Sequence, residues 1–275
     1  MVEQPTETVI DQNGSSRSYW GEIWRYRELV YFLSWRDILV RYKQTIIGAG
    51  WAVLRPVVTM VVFSFVFGRL AKLPSVAPYP ILVYSAMLPW QFFANALGET
   101  SSSIVDNPNL LTKVYFPRVI IPLGSTIVSL VDFLFAFGAM LLLMAWYRFT
   151  PAWTIVFLPF FTMLAFFAAL GGGLWFSALN VRYRDFRYII PIIVQVGLFV
   201  SPVGFSSSVV PAALRPWYSL NPIVGIIDGF RWAILGQGSE FYWPSLVCSL
   251  VGVLLIFGTG FHYFKKMERG FADVI

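Results

Sequence analysis

Six long apolar runs separated by short charged stretches limit this chain more than any other feature. A helix that crosses a bilayer needs about 20 largely apolar residues and can use roughly 17–25. The runs extend from about Ala49 to Phe67, Pro80 to Leu97, Val119 to Ala145, Trp153 to Leu179, Tyr188 to Phe205 and Trp243 to Phe264. In hydrocarbon, every backbone N–H and C=O must be satisfied within the segment, so these runs predict helices. The composition agrees. Charged residues make up 12% of the chain and hydrophobic ones 57%, whereas a soluble domain carries roughly 25% charged residues. So little charge cannot coat a water-facing globule. The expected fold class is an all-α polytopic membrane protein with six spans. Pro191 and Pro202 fall in the fifth run, where a neighbouring helix or a break must satisfy the freed carbonyls.

Lys and Arg set the expected orientation, because cytoplasmic loops carry the excess of both. Fourteen of them lie before the first run, between the second and third, between the fourth and fifth, and after the sixth; five lie on the other side, with Arg55 at a boundary. Both termini are expected in the cytoplasm. The net charge of +6 is scattered between apolar runs, so it reads as topology and lipid-headgroup contact rather than as a nucleic-acid surface. Residues 1–20 are polar and mixed in charge, unlike a secretory signal, and are expected to form a disordered cytoplasmic tail. The membrane domain is then 21–275.

Two segments fit neither span nor solvated loop. Glu28 to Lys43 places Tyr31, Phe32, Trp35, Ile38, Leu39 and Tyr42 on one helical stripe, which suits a helix along the inner headgroups. Leu29, Leu33 and Val40 form a second apolar strip that could face a protein partner. Leu220 to Leu235 is mostly apolar yet contains Asn221, Asp228 and Arg231. It is too polar to cross. Short re-entrant helices fit it, and an ordinary helix on the outer leaflet is the alternative.

The missing chemistry separates functional classes. None of the five lysines follows a glycine, so no phosphate-cradling G-x-x-x-x-G-K-[ST] loop exists and the chain hydrolyses no nucleotide. Cys248 and His262 are each alone, which removes disulfides and His- or Cys-based metal sites. Asp132 is the one acid deep within a run; it is either functional or bonded to a neighbouring helix. The Gly171-Gly172-Gly173 run suits close helix packing.

Trp35 to Pro56 (WRDILVRYKQTIIGAGWAVLRP), Asn107 to Leu123 (NPNLLTKVYFPRVIIPL), Asn180 to Pro191 (NVRYRDFRYIIP), Ser201 to Phe205 (SPVGF) and Leu220 to Pro222 (LNP) together carry a family resemblance. The chain from about Glu28 onward resembles type-2 permeases of ABC exporters for lipid-linked polysaccharides, the O-antigen and teichoic-acid exporters among them. The resemblance implies a homodimer in the bacterial cytoplasmic membrane, served by two copies of a separate ATPase that binds ATP and Mg; this chain itself carries no cofactor. It implies that a coupling helix in the second-to-third loop meets that ATPase. The residues concerned are Asn107, Pro108, Asn109, Leu110, Leu111, Lys113, Tyr115, Phe116 and Arg118, with Arg184 and Asp185 of the fourth-to-fifth loop nearby. Gate helices after the fifth span then contain Asn221, Asp228 and Arg231, and the first and fifth spans line the channel.

Sugar rings stack on aromatic faces without charge, which makes Trp51, Phe63, Phe199 and Phe205 the expected channel-lining residues. A lipid-diphosphate head needs cations at the inner leaflet, and Arg25, Arg27, Arg41, Lys43 and Arg55 are the candidates. Two rivals stand beside this reading: a type-2 permease for a small drug or lipid, and a membrane enzyme acting on polyprenyl-linked sugars through Asp185.

Overall fold

The structure is a computed structural model and describes residues 16–43, 48, 50–113, 116–236 and 241–271. Among these residues it is helix and turn without a strand. α1 (Ser16–Arg25) and α2 (Arg27–Lys43) precede α3 (Gly50–Phe63), which continues as a π-helix over Ser64–Leu70. α4 (Tyr79–Ser102), the short α5 (Pro108–Lys113) and α6 (Ile120–Trp146) follow. A 3-10 turn at Trp153–Phe157 leads into α7 (Leu158–Arg182), then α8 (Phe186–Val200) and the four-residue α9 (Arg215–Tyr218). α10 (Pro222–Leu235) and α11 (Trp243–Met267) complete the order.

Among the described residues, four helices are long and apolar enough to cross a membrane: Gly50–Leu70, Ile120–Trp146, Trp153–Arg182 and Trp243–Met267. The other two expected spans differ for separate reasons. α4 has 24 residues, about 36 Å at 1.5 Å per residue. Its sequence is more polar, with Gln91, Asn95, Glu99 and several hydroxyls, and most of its length is buried against α6 and α7. Protein rather than lipid surrounds it. α8 has only 15 residues, about 22 Å. The fifth run extends to Phe205, and of the two outcomes open at Pro202 a break is found: Ser201, before the proline, takes an extended conformation (φ −88°, ψ 152°). The proline ring disfavours the helical region for the residue before it, so the helix stops at Val200. Pro191, in the second turn, has no N–H to give the Arg187 carbonyl, so α8 passes it with one hydrogen bond fewer.

Part of the stretch expected as a tail through residue 20 is helical. α1 begins at Ser16, and the Trp20 ring stacks on Phe261 at 4.8 Å. Residues 1–15 lie outside the described residues.

Two apolar cores hold the bundle. The larger joins α4, α6, α7 and α10 around Phe92, Phe133, Phe161 and Phe230. The smaller gathers Leu33, Leu111, Phe116, Ile120, Leu174, Phe264 and Phe271 at one end. α7 and α11 approach closely through glycine: a Cβ on Gly171 would lie 2.5 Å from the Phe257 backbone, and Gly260 faces the Gly171 carbonyl. This is the close packing that the glycine run predicts. Gly171→Val therefore forces the two helices apart. Overpacking of this kind costs about 1–3 kcal/mol, and a lowered melting temperature of the purified chain is the check.

Candidate coupling end and gate

One end of the bundle collects segments far apart in sequence. Glu268, just past α11, accepts hydrogen bonds from Tyr19 Oη (2.8 Å) and from the Arg118 backbone N–H (2.6 Å). The Arg118 guanidinium in turn donates to the Glu268 carbonyl. Lys265 Nζ sits 4.6 Å from the Tyr19 ring centre. Arg36 donates to Asn107 Oδ1 at 3.3 Å, and Arg187 pairs with Asp106 at 3.6 Å. The start of the described chain, the second-to-third loop, the fourth-to-fifth loop and the end of α11 therefore share one face. These are the segments that carry the Lys and Arg excess.

α5 is the short helix expected in the second-to-third loop. Leu111 and Phe116 are buried in the smaller core and anchor it, leaving Pro108 and Asn109 exposed at its tip. Asn107 Nδ2 donates to the Ser103 carbonyl, bonding the loop back to the end of α4. Leu110 is half-buried, while Arg184 and Asp185 are exposed on the adjacent turn. The Arg187–Asp106 pair that links the two loops is solvent-exposed and contributes about 1 kcal/mol at most. Tyr115 and the Lys113 side chain lie outside the described residues.

Glu268 was not singled out from the sequence; one acid within the cationic stretch FKKMERGF is its only signal. Burial pushes its carboxyl up, against the Arg118 N–H, Tyr19 and the nearby cations that pull it down. An acid raised in the folded state stabilises the fold as pH falls through its folded value and loses that contribution as pH rises past it. The window opens near the ordinary glutamate value, about 4.3, and extends upward. Glu268→Gln removes this dependence. Thermal melts from pH 4 to pH 8 should show wild type losing ground to the glutamine variant as pH rises, and a constant difference would exclude the burial argument.

α2 is placed by a second cluster. Ser34 Oγ approaches the Gly124 carbonyl at 3.4 Å, Arg41 pairs with Asp132 at 2.6 Å, and Tyr42 Oη bonds the other Asp132 oxygen. The offset is 90 or 91 residues at each contact, so α2 runs alongside α6 in the same direction for about two turns. Arg41 also pairs with Glu99 of α4 at 2.8 Å. Burial opposes the Arg41 charge, but Glu99 and Asp132 outweigh it and leave the group more firmly protonated than usual. Tyr42 is pushed up by burial and by its bond to Asp132. Asp132, only 8% exposed, is thus the acid bonded to a neighbouring helix.

Of the expected α2 stripe, Tyr31, Phe32, Trp35 and Leu39 are exposed, whereas Ile38 is half-buried and Tyr42 turns inward to Asp132. Of the second strip, Leu33 is buried against α6 and Val40 is exposed. Among the candidate diphosphate cations, Arg25, Arg27, Lys43 and Arg55 are exposed, and Arg27 lies over the Trp24 ring. Arg41 differs from them, being held by two carboxylates.

At the opposite end lies α10, with Asn221 at its N-cap and Asp228 and Arg231 buried along it. Asn221 Oδ1 caps the helix by accepting from the Ile223 N–H, and its Nδ2 donates to Ser201 Oγ. Arg231, only 3% exposed, donates to the carbonyls of Leu82, Phe205 and Val203. α10 is about 21 Å long and almost wholly buried between α4, α7 and α11, so the alternative of an ordinary helix on the outer surface does not hold. Gly225 and Gly229 allow the approach, against Ser245 and the Phe161 ring respectively.

The candidate aromatics divide. Phe63 and Phe67 pack on Gly204, next to Phe205. Phe199 and Trp51 are exposed, and Trp51 lies twelve residues before Phe63, about 18 Å along its helix.

A helical bundle with several bilayer-length apolar helices, a short helix anchored at its charged end and a buried helix at the other is the architecture of a multi-pass membrane protein. The chain belongs to the ABC-2 type transporter family, whose model matches residues 28–235. It is similar to the O-antigen export system permease protein RfbA of Myxococcus xanthus, 26% identical over 256 residues, covering 92% of this chain and 98% of the relative. It is also similar to the protein of the same name from Klebsiella pneumoniae (23% over 249 residues, 90% and 95% covered). The capsule polysaccharide export inner-membrane protein CtrC of Neisseria meningitidis serogroup B is 25% identical over 256 residues, with 88% and 92% covered.

Proposed function

We propose that this chain is the membrane-spanning subunit of an ATP-driven exporter that moves a lipid-linked polysaccharide, of O-antigen type, outward across the bacterial cytoplasmic membrane. It works as a homodimer with two copies of a separate ATPase. α4 and α8 complete six crossings, α2 meets the inner headgroups with its exposed aromatics, and α9 with α10 forms the outer gate. Both chain ends then face the cytoplasm.

One observation carries the reading: α5 offers an exposed tip on a buried base, beside the Arg184–Asp185 turn, at the end where the cations collect. A force applied at Pro108 and Asn109 reaches the bundle through Leu111 and Phe116 rather than dissipating in a loose loop. ATP-driven closure of the partner subunits moves α5, and the two channel-lining helices shift between states that favour different contacts. The similarity to permeases named for O-antigen and capsule export over almost their whole length supports this substrate class.

Copurification tests the assignment. The tagged chain should bring down a Walker-containing subunit, and two negative charges introduced at the tip, Pro108→Glu with Asn109→Glu, should reduce that yield at least tenfold while the bundle stays folded. Retention of the ATPase by this variant would remove α5 as the docking element.

A further inference from the structure

Between the 3-10 turn at Ser207–Val209, α9, α10 and the first turn of α11 lies a cavity of about 20 Å³, enough for one or two water-sized groups. It sits at the far end of α11 from Glu268, about 35 Å away along that helix. Its wall includes Ser207, Arg215, Tyr218, Asp228, Tyr242 and Ser245. Three buried polar atoms of this wall have no hydrogen-bond partner: Asp228 Oδ2, Tyr218 Oη and Ser245 Oγ. Asp228 is only 5% exposed and Ser245 only 1%. A buried carboxylate oxygen left bare is costly, and buried polar groups are nearly always satisfied. Three such atoms around one void mark a place that a polar group fills.

The charges around the void select the occupant. Arg215 donates to the carbonyls of Val210 (3.1 Å) and Ser208 (3.0 Å), and Arg231 is spread over three further carbonyls. Both guanidiniums are thus committed to backbone, and the bare carboxylate oxygen repels an anion. A metal ion is equally disfavoured: both guanidiniums already balance Asp228, and no group of three acidic, His or Cys ligands occurs among the described residues. A neutral hydroxyl suits all three atoms, because it donates to Asp228 Oδ2 while accepting from Tyr218 Oη or Ser245 Oγ.

We propose that this cavity is a subsite for a hydroxyl of a neutral sugar residue, with Asp228 as acceptor and Tyr218 and Ser245 completing the contacts. Water takes the same place between glycans. Tyr242 at the wall adds a ring face for the sugar. The inference rests on the polysaccharide reading and adds to it a binding position at the gate.

The test uses the full chain with its partner ATPase in lipid nanodiscs. Maltotriose, mannotriose and a galactose trisaccharide are titrated by saturation-transfer NMR, with glucuronate as the anionic control. At least one neutral trisaccharide should bind saturably. The Tyr218→Phe and Ser245→Ala double variant should weaken it at least tenfold, and glucuronate should not bind. Ser177→Ala, at a buried unpaired hydroxyl on α7 and away from the cavity wall, should change nothing. Failure of all three sugars, or equal binding by wild type and double variant, overturns the subsite. ATP-driven glycan export by the same particles, measured in vesicles, judges the polysaccharide reading separately.

Discussion

Arg231→Leu should leave little folded protein. The substitution strips donors from the buried carbonyls of Leu82, Val203 and Phe205 and leaves Arg215 alone to balance the Asp228 carboxylate. Breaking one side of a buried charge network costs about 3–5 kcal/mol, and each buried acceptor left bare adds to the loss. For a chain of this size about 1 kcal/mol shifts the melting temperature by about 2–4 °C, so a fall well beyond 6 °C is expected in detergent melts. Arg231→Lys keeps the charge but has no planar fork to reach three carbonyls, and it should lie between. An unchanged melting temperature in Arg231→Leu would mean that α10 is not pinned through this side chain.

Asp132→Leu should free the end of α2 from α6. Arg41 and Tyr42 both lose their shared acceptor, while Arg41 keeps Glu99. Because Arg41 is partly exposed, the cost is smaller than for a fully buried pair, about 1–3 kcal/mol. Removing Arg41 as well should recover part of the loss, since the two residues act as one unit and a double-mutant cycle then departs from additivity. Disulfide crosslinking between cysteines placed at Ser34 and Gly124, which face each other in the folded chain, reads the position of α2 directly. Its yield should fall in Asp132→Leu. Additive losses with unchanged crosslinking would show that α2 is held by apolar packing alone.

Much of this architecture is legible because a bilayer writes its demands into composition. Apolar runs mark the helices within a few residues, and the Lys and Arg count marks the face where α1, α5 and the end of α11 meet. The segment of α10 reads as too apolar for a loop and too polar for a span, and the structure buries it with Asn221 bonded to Ser201 and Arg231 bonded to the Phe205 carbonyl. The end of α8 is readable too, because Pro202 limits the conformation of Ser201 and marks a break before the apolar run ends at Phe205.

Pairings between distant residues were not legible. Arg41 reads as a spare cation at a membrane surface, because its partners Glu99 and Asp132 lie 58 and 91 residues away and only the fold brings them to it. Glu268 is hidden for the same reason. The π-helix of Ser64–Leu70 has no sequence mark, since SFVFGRL satisfies an α or a π turn equally well. Wide turns of this kind recur at functional sites, and this one abuts Gly204, in the turn after α8, through Phe67. Gly68 opens the other side, against the Tyr79 ring.

Transport itself is the most direct trial of the whole account. Vesicles holding this chain and its ATPase are loaded with a lipid-linked glycan, and glycan appearing in the opposite leaflet is captured by a lectin. Accumulation should require ATP and both subunits, and should stop when the Walker lysine of the ATPase is replaced. Equal transfer by this chain alone, without nucleotide, would contradict the claim that it is the passive half of a two-part machine.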